Sequence, residues 1–247
     1  MDSRRALFAF ALVVCELLFT PSMSWAIPLA DLFQGATITA DDKLFNNFTL
    51  TTSETNNGGV INTAQIDVTP LAGDPLNPGI KFTAPVGALG TPFGHTGASN
   101  IRLVFGFDVS TTNGLALIKD NSLLINGFTF DSGPLASIQV SEQIFDASGA
   151  LLGTKIAIAN NQSDVGDPSL FDSLDFSPRS FVHVVKQIDI IGPGDNDGAF
   201  LTMFEQRFSQ IIPEPSGLLL AGILVVIGVA SRPRALFNAC YFSSEKA

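Results

Sequence analysis

Asn100-Ile101-Arg102-Leu103-Val104-Phe105-Gly106-Phe107-Asp108-Val109-Ser110 alternates with a period of two. Ile101, Leu103, Phe105, Phe107 and Val109 fall on one side, and Arg102, Asp108 and Ser110 on the other, with Val104 and Gly106 blurring the polar face. Side chains of an extended chain point alternately to opposite faces, so this pattern predicts a strand with one buried and one solvent-facing side. Runs of the same kind recur along the chain. They predict strands over 36–39, 44–52, 60–68, 80–84, 115–118, 122–130, 136–145, 151–159, 181–191 and 199–208. Asn56-Asn57-Gly58-Gly59, Thr111-Thr112-Asn113-Gly114 and Asp146-Ala147-Ser148-Gly149 separate some of these runs. Asn and Gly tolerate the positive φ that tight hairpin turns require. No segment before residue 211 sustains a 3.6-residue apolar period. The expected fold is all-β, an antiparallel sandwich of the jelly-roll kind.

The composition agrees with a globular domain and narrows its chemistry. Hydrophobic residues make up 46% of the 247 and charged residues 15%, too few charges and too much apolar surface for a disordered chain. Thirteen Lys and Arg against 23 Asp and Glu cannot build the basic face that nucleic acid requires. Residues 27–210 carry 8 Lys and Arg and 19 Asp and Glu, and no Cys, Trp or Tyr. Sixteen of the 21 Phe lie in that span, so Phe with Leu, Ile and Val must fill the core. A domain of this size buries enough surface to dispense with disulfides.

Both ends read as targeting segments. Arg4 and Arg5 precede an apolar run from Ala6 to Cys15, resumed at Leu17–Phe19 and broken by Pro21, and Ser24-Trp25-Ala26 sets small residues before Ile27. This is the order of a secretory signal peptide, 1–26, cleaved between Ala26 and Ile27 for passage through the secretion translocon. Its ten-residue apolar core spans about 15 Å as helix, half the thickness of a bilayer interior. Near the other end, Pro213-Glu214-Pro215 precedes an unbroken apolar run from Gly217 to Ala230, followed by Arg232 and Arg234. The run is a short transmembrane helix over 217–231, and the arginines hold its far end cytoplasmic.

Those three ordered elements over 211–234 resemble a PEP-CTERM sorting signal. The resemblance implies an exported bacterial protein processed by exosortase, a membrane enzyme that recognises Pro213, Glu214 and Pro215. The implied setting is exopolysaccharide, biofilm or other extracellular matrix, with the protein held briefly in the inner membrane and then placed at the cell surface or outside the cell. Phe45-Asn46-Asn47-Phe48-Thr49 and Phe204–Gln210 also resemble stretches of such exoproteins. The chain departs from the family pattern in continuing past the basic cluster over 235–247.

Catalytic motifs are scarce in the exported domain, 27–210. His95 lies in a Gly- and Pro-bearing loop and His183 in a strand. His183 with Asp189 or Asp175 and a serine sketches a nucleophilic triad, but no Gly-x-Ser-x-Gly elbow accompanies it. Asp195 and Asp197, in Gly192–Gly198, offer hard oxygen ligands to Ca²⁺ without the spacing of an EF-hand. Asp164, Asp167, Asp172 and Asp175 form a second acidic cluster. A glycosidase would need two carboxylates flanking a cleft, for which Asp108, Asp131 and Glu142 are the candidates. The expected function is that of a non-enzymatic surface or matrix protein without a cofactor. A carbohydrate- or calcium-binding matrix module is the alternative, and a glycoside hydrolase the third reading.

Overall fold

The computed structural model describes residues 25–112, 114, 116–131, 135–161 and 169–212. The chain divides after Ile211 into two compact units, and the described residues other than Ile212 belong to the first. Pro213, Glu214, Pro215, Arg232, Arg234, the apolar run between them and residues 1–24 lie outside the described residues. Among the described residues no helix is long and apolar enough to cross a membrane.

The described chain is all-β, with antiparallel sheets and only a single turn of α-helix at Leu29–Leu32. In chain order the early strands are β1 (Ile27–Pro28), β2 (Ile38–Ala40), β3 (Lys43–Asn56), β4 (Val60–Ile61), β5 (Asp67–Leu71), β6 (Gly79–Thr83) and β7 (Leu89–Thr91). The central ones are β8 (Ser99–Thr111), β9 (Leu117–Phe130), β10 (Ser137–Phe145) and β11 (Leu151–Asn160). The last are β12 (Phe171–Arg179), β13 (Phe181–Gly192), β14 (Ala199–Arg207) and β15 (Gln210–Ile211). A six-stranded sheet runs β11-β10-β13-β8-β3-β2. A nine-stranded sheet is built around β14, which pairs with β6 and β7 along one edge and β9 along the other.

One hydrophobic core lies between the two sheets. The alternation read from β8 places Ile101, Leu103, Phe105, Phe107 and Val109 fully inside, while Arg102 is exposed. Phenylalanines carry the packing, as the missing Trp and Tyr require. Phe82 stacks on Phe204 at 4.4 Å and meets Phe105 of the facing sheet at 5.9 Å, and Phe48 stacks on Phe107 at 4.9 Å. Offset and edge-on ring pairs of this kind add roughly 0.5–1.5 kcal/mol each beyond the buried area.

Several expected elements differ. Residues 115–118 and 122–130 predict two strands, but 117–130 form one, because Lys119-Asp120-Asn121 continues the ladder against β12. The run 60–68 is split by a 3₁₀ turn at Thr63–Gln65. Strand β12, Phe171–Arg179, is not among the expected runs, because it has no fully buried residue and so shows no apolar face. Asn56–Gly59 does form a tight turn, with Asn57 at φ 44° and Gly58 at 84°. It is not a hairpin, since β3 and β4 belong to different sheets and the turn carries the chain between them. Asp146–Gly149 is a true hairpin turn, joining β10 to β11.

Candidate functional site

The outward face of the six-stranded sheet bears the side chains that the core does not take. Antiparallel register aligns them in rows across the strands. One row runs Phe145, His183, Asp108, Asn46. The next runs Thr154, Gln143, Val185, Gly106, Thr49. A third contains Ile156, Ser141, Gln187 and Val104, and a fourth Gln139, Asp189, Arg102 and Glu54.

His183 and Asp108 form the most closely built part of this face. The Nδ1–H of His183 donates to Asp108 Oδ1 at 2.6 Å, since a carboxylate can only accept. Asn47 donates from Nδ2 to Asp108 Oδ2 at 2.8 Å, holding the second oxygen. It reaches there because β3 is bulged between Asn46 and Thr49, with Asn47 in the left-handed region at φ 53°. Asn adopts that conformation more readily than most residues, and a bulge re-aims the side chain it carries. The imidazole lies over Gly106, where a Cβ would stand 3.1 Å from Cε1 and 3.2 Å from Nε2. Phe145 and Phe181 flank it in a pocket of about 450 Å³ that also includes the Asp146 turn. The His183 side chain is 36% exposed in this pocket.

Beside this pocket lies a groove of about 290 Å³, whose lining includes Gln139, Ser141, Gln143, Thr154, Ile156 and Gln187, together with Val185 and two charged residues, Glu142 and Lys155. The side chains of Glu142 and Lys155 are buried on the inward face, and the polar side chains turned outward are neutral amides and hydroxyls, which present donors and acceptors together. Charges stand at its end: Arg102 donates to Asp189 Oδ1 at 2.8 Å, and Gln187 Nε2 donates to Asp189 Oδ2 at 2.5 Å.

The sequence candidates are distributed differently from expectation. Asp108 orients His183, whereas Asp189 is engaged by Arg102 and Gln187, and Asp175 lies on β12 in the other sheet. Asp108 and Glu142 share a sheet but not a face. Asp108 looks outward, and Glu142 is 1% exposed in the core, so these two carboxylates do not flank a common cleft. Asp131 follows β9, where its N–H donates to Gly198 O. The calcium candidates hold loops in place, Asp195 across to the loop of Gly97 and Asp197 within its own turn. Asp195 Oδ1 accepts from the Gly97 N–H, and the Asp197 N–H donates to Gly194 O at 3.3 Å. His95 sits against that loop, its carbonyl accepting from the Asn196 N–H and its ring nitrogens buried without partners. Among the described residues no group of three or more His, Cys, Asp or Glu side chains is placed to hold a metal ion. Asp172, from the second acidic cluster, accepts from the Ile156 N–H at 2.8 Å and ties β12 to β11. Ala26 is exposed, and Ile27 opens β1.

No protein family profile matches the chain, and no curated protein matches it. Among solved structures it is similar to a carbohydrate-binding module of the β-sandwich superfamily, at 11% identity and a TM-score of 0.25, over 70% of this chain and 58% of that one. A carbohydrate-binding module that recognises mannan is similar at 7% identity and 0.27, over 67% and 99%. A DUF4465 family protein from Bacteroides caccae is similar at 11% identity and 0.23, over 64% and 100%. At those scores the outward face is interpreted from its own residues.

Proposed function

We propose that the exported domain is a non-catalytic matrix module that binds an uncharged polysaccharide along the outward face of the six-stranded sheet. The carrying observation is the groove of neutral amides and hydroxyls, Gln139, Ser141, Gln143, Thr154 and Gln187, running beside the Phe145–His183 pocket. A sugar offers hydroxyl groups that both donate and accept, together with an apolar ring face. Amides satisfy the first, and a flat ring such as Phe145 receives the second. Acidic groups on the face, Asp108, Asp189 and Glu54, outnumber Arg102, which disfavours an anionic polymer.

Affinity electrophoresis in gels containing mannan, β-glucan, galactan or polyuronate tests this reading. Retardation by at least one neutral polymer, and none by polyuronate, is expected. Gln187→Ala and Gln143→Ala should each weaken binding about tenfold, the loss of one or two ligand hydrogen bonds. Unretarded migration in every gel would overturn the proposal.

Delivery to the matrix is the other half of the reading. Signal cleavage before Ile27 and exosortase processing at Pro213-Glu214-Pro215 would release a domain whose first strand starts at Ile27. Replacing Pro213, Glu214 and Pro215 by alanine should leave the protein in the inner membrane fraction. Unchanged appearance outside the cell would count against sorting by that motif.

A further inference from the structure

Behind the groove, on the inward face of the same strands, lies a charged cluster that glycan binding does not use. Glu142 of β10, Lys155 of β11 and Lys186 of β13 all point into the core and are at most 1% exposed. Gln206 of β14, fully buried, meets them from the facing sheet. Lys186 Nζ donates to Glu142 Oε1, and Gln206 Nε2 donates to Glu142 Oε2 at 3.1 Å. Lys155 Nζ stands 2.8 Å from the same Oε2 as an ion pair whose angle is not that of a hydrogen bond. Phe204 and Phe82 wall the Lys186 ammonium at 5.0 and 5.7 Å.

Two lysines against one carboxylate leave a surplus positive charge in an apolar core. Burying ions costs several kcal/mol each even when they are paired, so folding stability alone is a poor reason for this set. Its chemistry supplies a better one. An amine nucleophile and a carboxamide are held by the two oxygens of a single carboxylate, and the amide's Oε1 has no hydrogen-bond partner.

We propose that Lys186 Nζ condenses with Cδ of Gln206 to form an amide that joins β13 to β14 across the sandwich, with Glu142 carrying the protons. Glu142 takes a proton from the Lys186 ammonium, and the free amine attacks Cδ. The new N–C bond forms, Glu142 returns its proton to Nε2, the bond from Cδ to Nε2 breaks, and the second proton of the attacking nitrogen passes through the same carboxylate to the released ammonia. Lys186 ammonium and the Gln206 carboxamide thus become a secondary amide and an ammonium ion, with Glu142 regenerated as carboxylate. No oxidant, metal or second reactant enters. Negative charge develops during attack on Gln206 Oε1, and Lys155, whose Nζ is 2.8 Å from the carboxylate oxygen that holds the amide nitrogen, adds positive charge to the same cluster. After the step the core retains one cation and one anion, Lys155 and Glu142.

The electrostatics make the Lys186 amine easier to free than an ordinary lysine and keep Glu142 a carboxylate, so any proton it takes up is passed on readily. Burial lowers the Lys186 pKa to about 8 despite the neighbouring Glu142, so about a tenth of the amine is unprotonated at pH 7. Burial pushes Glu142 upward, but the two lysines outweigh it and hold the carboxyl below its ordinary value. A third buried lysine, Lys43, provides a contrast within the same chain. Lys43 donates to Gln210 Oε1 and to Asp42, but the Gln210 amide donates to the Pro75 carbonyl instead of to the acid. There no carboxylate bridges amine and amide, and no bond is expected.

Peptide mapping of the full-length folded protein by mass spectrometry reads the result. The expected product is a branched peptide joining the Lys186 and Gln206 segments, lighter by one ammonia than the two together, with Lys43 and Gln210 in linear peptides. Glu142→Gln should give only linear peptides. If that variant does not fold, Lys186→Met should have the mass its sequence dictates, while the parent falls short of its own by one ammonia. Linear, unmodified Lys186 and Gln206 peptides from the folded parent would overturn the proposal, and an undiminished branch in Glu142→Gln would overturn the role of the carboxylate. Neither result bears on glycan binding, which belongs to the opposite face of the sheet.

Discussion

A single missing Cβ shapes the outward pocket. At Gly106 a methyl would crowd the His183 ring and come within 3.3 Å of Thr49 Oγ1. Removing glycine from a strand gains roughly 0.5–1 kcal/mol, which offsets much of that crowding. Gly106→Ala should therefore leave the denaturation midpoint almost unmoved while displacing the imidazole from Asp108. The ¹⁵N shifts of His183 are the measurement, and unchanged shifts would refute this placement. Asp108→Ala should produce a related spectral change by freeing Nδ1. The partnership of these two residues was out of reach of sequence reasoning, because 75 positions separate them and only the β8–β13 register brings them together. Glu142 carried a signal that could have been read. Within β10 it shares the phase of Ile138, Val140 and Ile144, just as Lys186 shares that of Val182, Val184, Ile188 and Ile190 in β13. A charge in step with a buried row marks a core cluster rather than a cleft.

At the scale of elements, the β10–β11 hairpin is organised by one carboxylate. Asp146 Oδ1 accepts from the Ser148 hydroxyl at 2.6 Å and from the N–H groups of Ser148 at 2.8 Å and Ala150 at 3.1 Å. The Ser148 hydroxyl, then the backbone N–H groups, lower the Asp146 pKa from its ordinary 3.8. A carboxyl whose folded pKa is depressed stabilises the fold above its unfolded pKa and loses that contribution as pH falls through the folded value. Amide exchange at Ser148 and Ala150 should consequently quicken relative to the strand interiors as pH falls below about 3.8. Asp146→Ala should show the same relative quickening at neutral pH, and protection independent of pH and of Asp146 would refute the turn's mechanism. This hairpin was legible because its signal is local, an Asx turn followed by Gly149 at φ 81°. The path of Asn56–Gly59 was not, because equivalent turn chemistry serves both a hairpin and a crossing between sheets. Strand β12 escapes a sequence reading because its own residues, paired with β9, are all half-buried or exposed.

For the molecule as a whole, a core of stacked phenylalanines concentrates stability in few residues. Phe82 contacts Phe105 and Phe204 and lies under the Lys186 ammonium. Truncating such a ring costs about 3–5 kcal/mol, and a domain of ordinary stability has only about 5–15 to lose. Phe82→Ala should lower the urea midpoint by about a third to a half for a domain of about 10 kcal/mol; a loss under about 1 kcal/mol would show that the core is not tightly packed there. The surplus of acids over bases in 27–210 acts at the same scale. Added salt should leave affinity for a neutral glycan nearly constant, whereas a steep decline would point to ionic recognition. Strand β14 bears on how the chain matures. It pairs with β6, β7 and β9, yet it is nearly the last part of the domain to be synthesised. Until residues 199–207 emerge, β6 and β7 have no β14 edge to close on, and a growing chain holds an open sheet. The six-stranded sheet has all its strands before residue 199, so the nine-stranded sheet is the one whose closure waits for nearly the whole domain to be made.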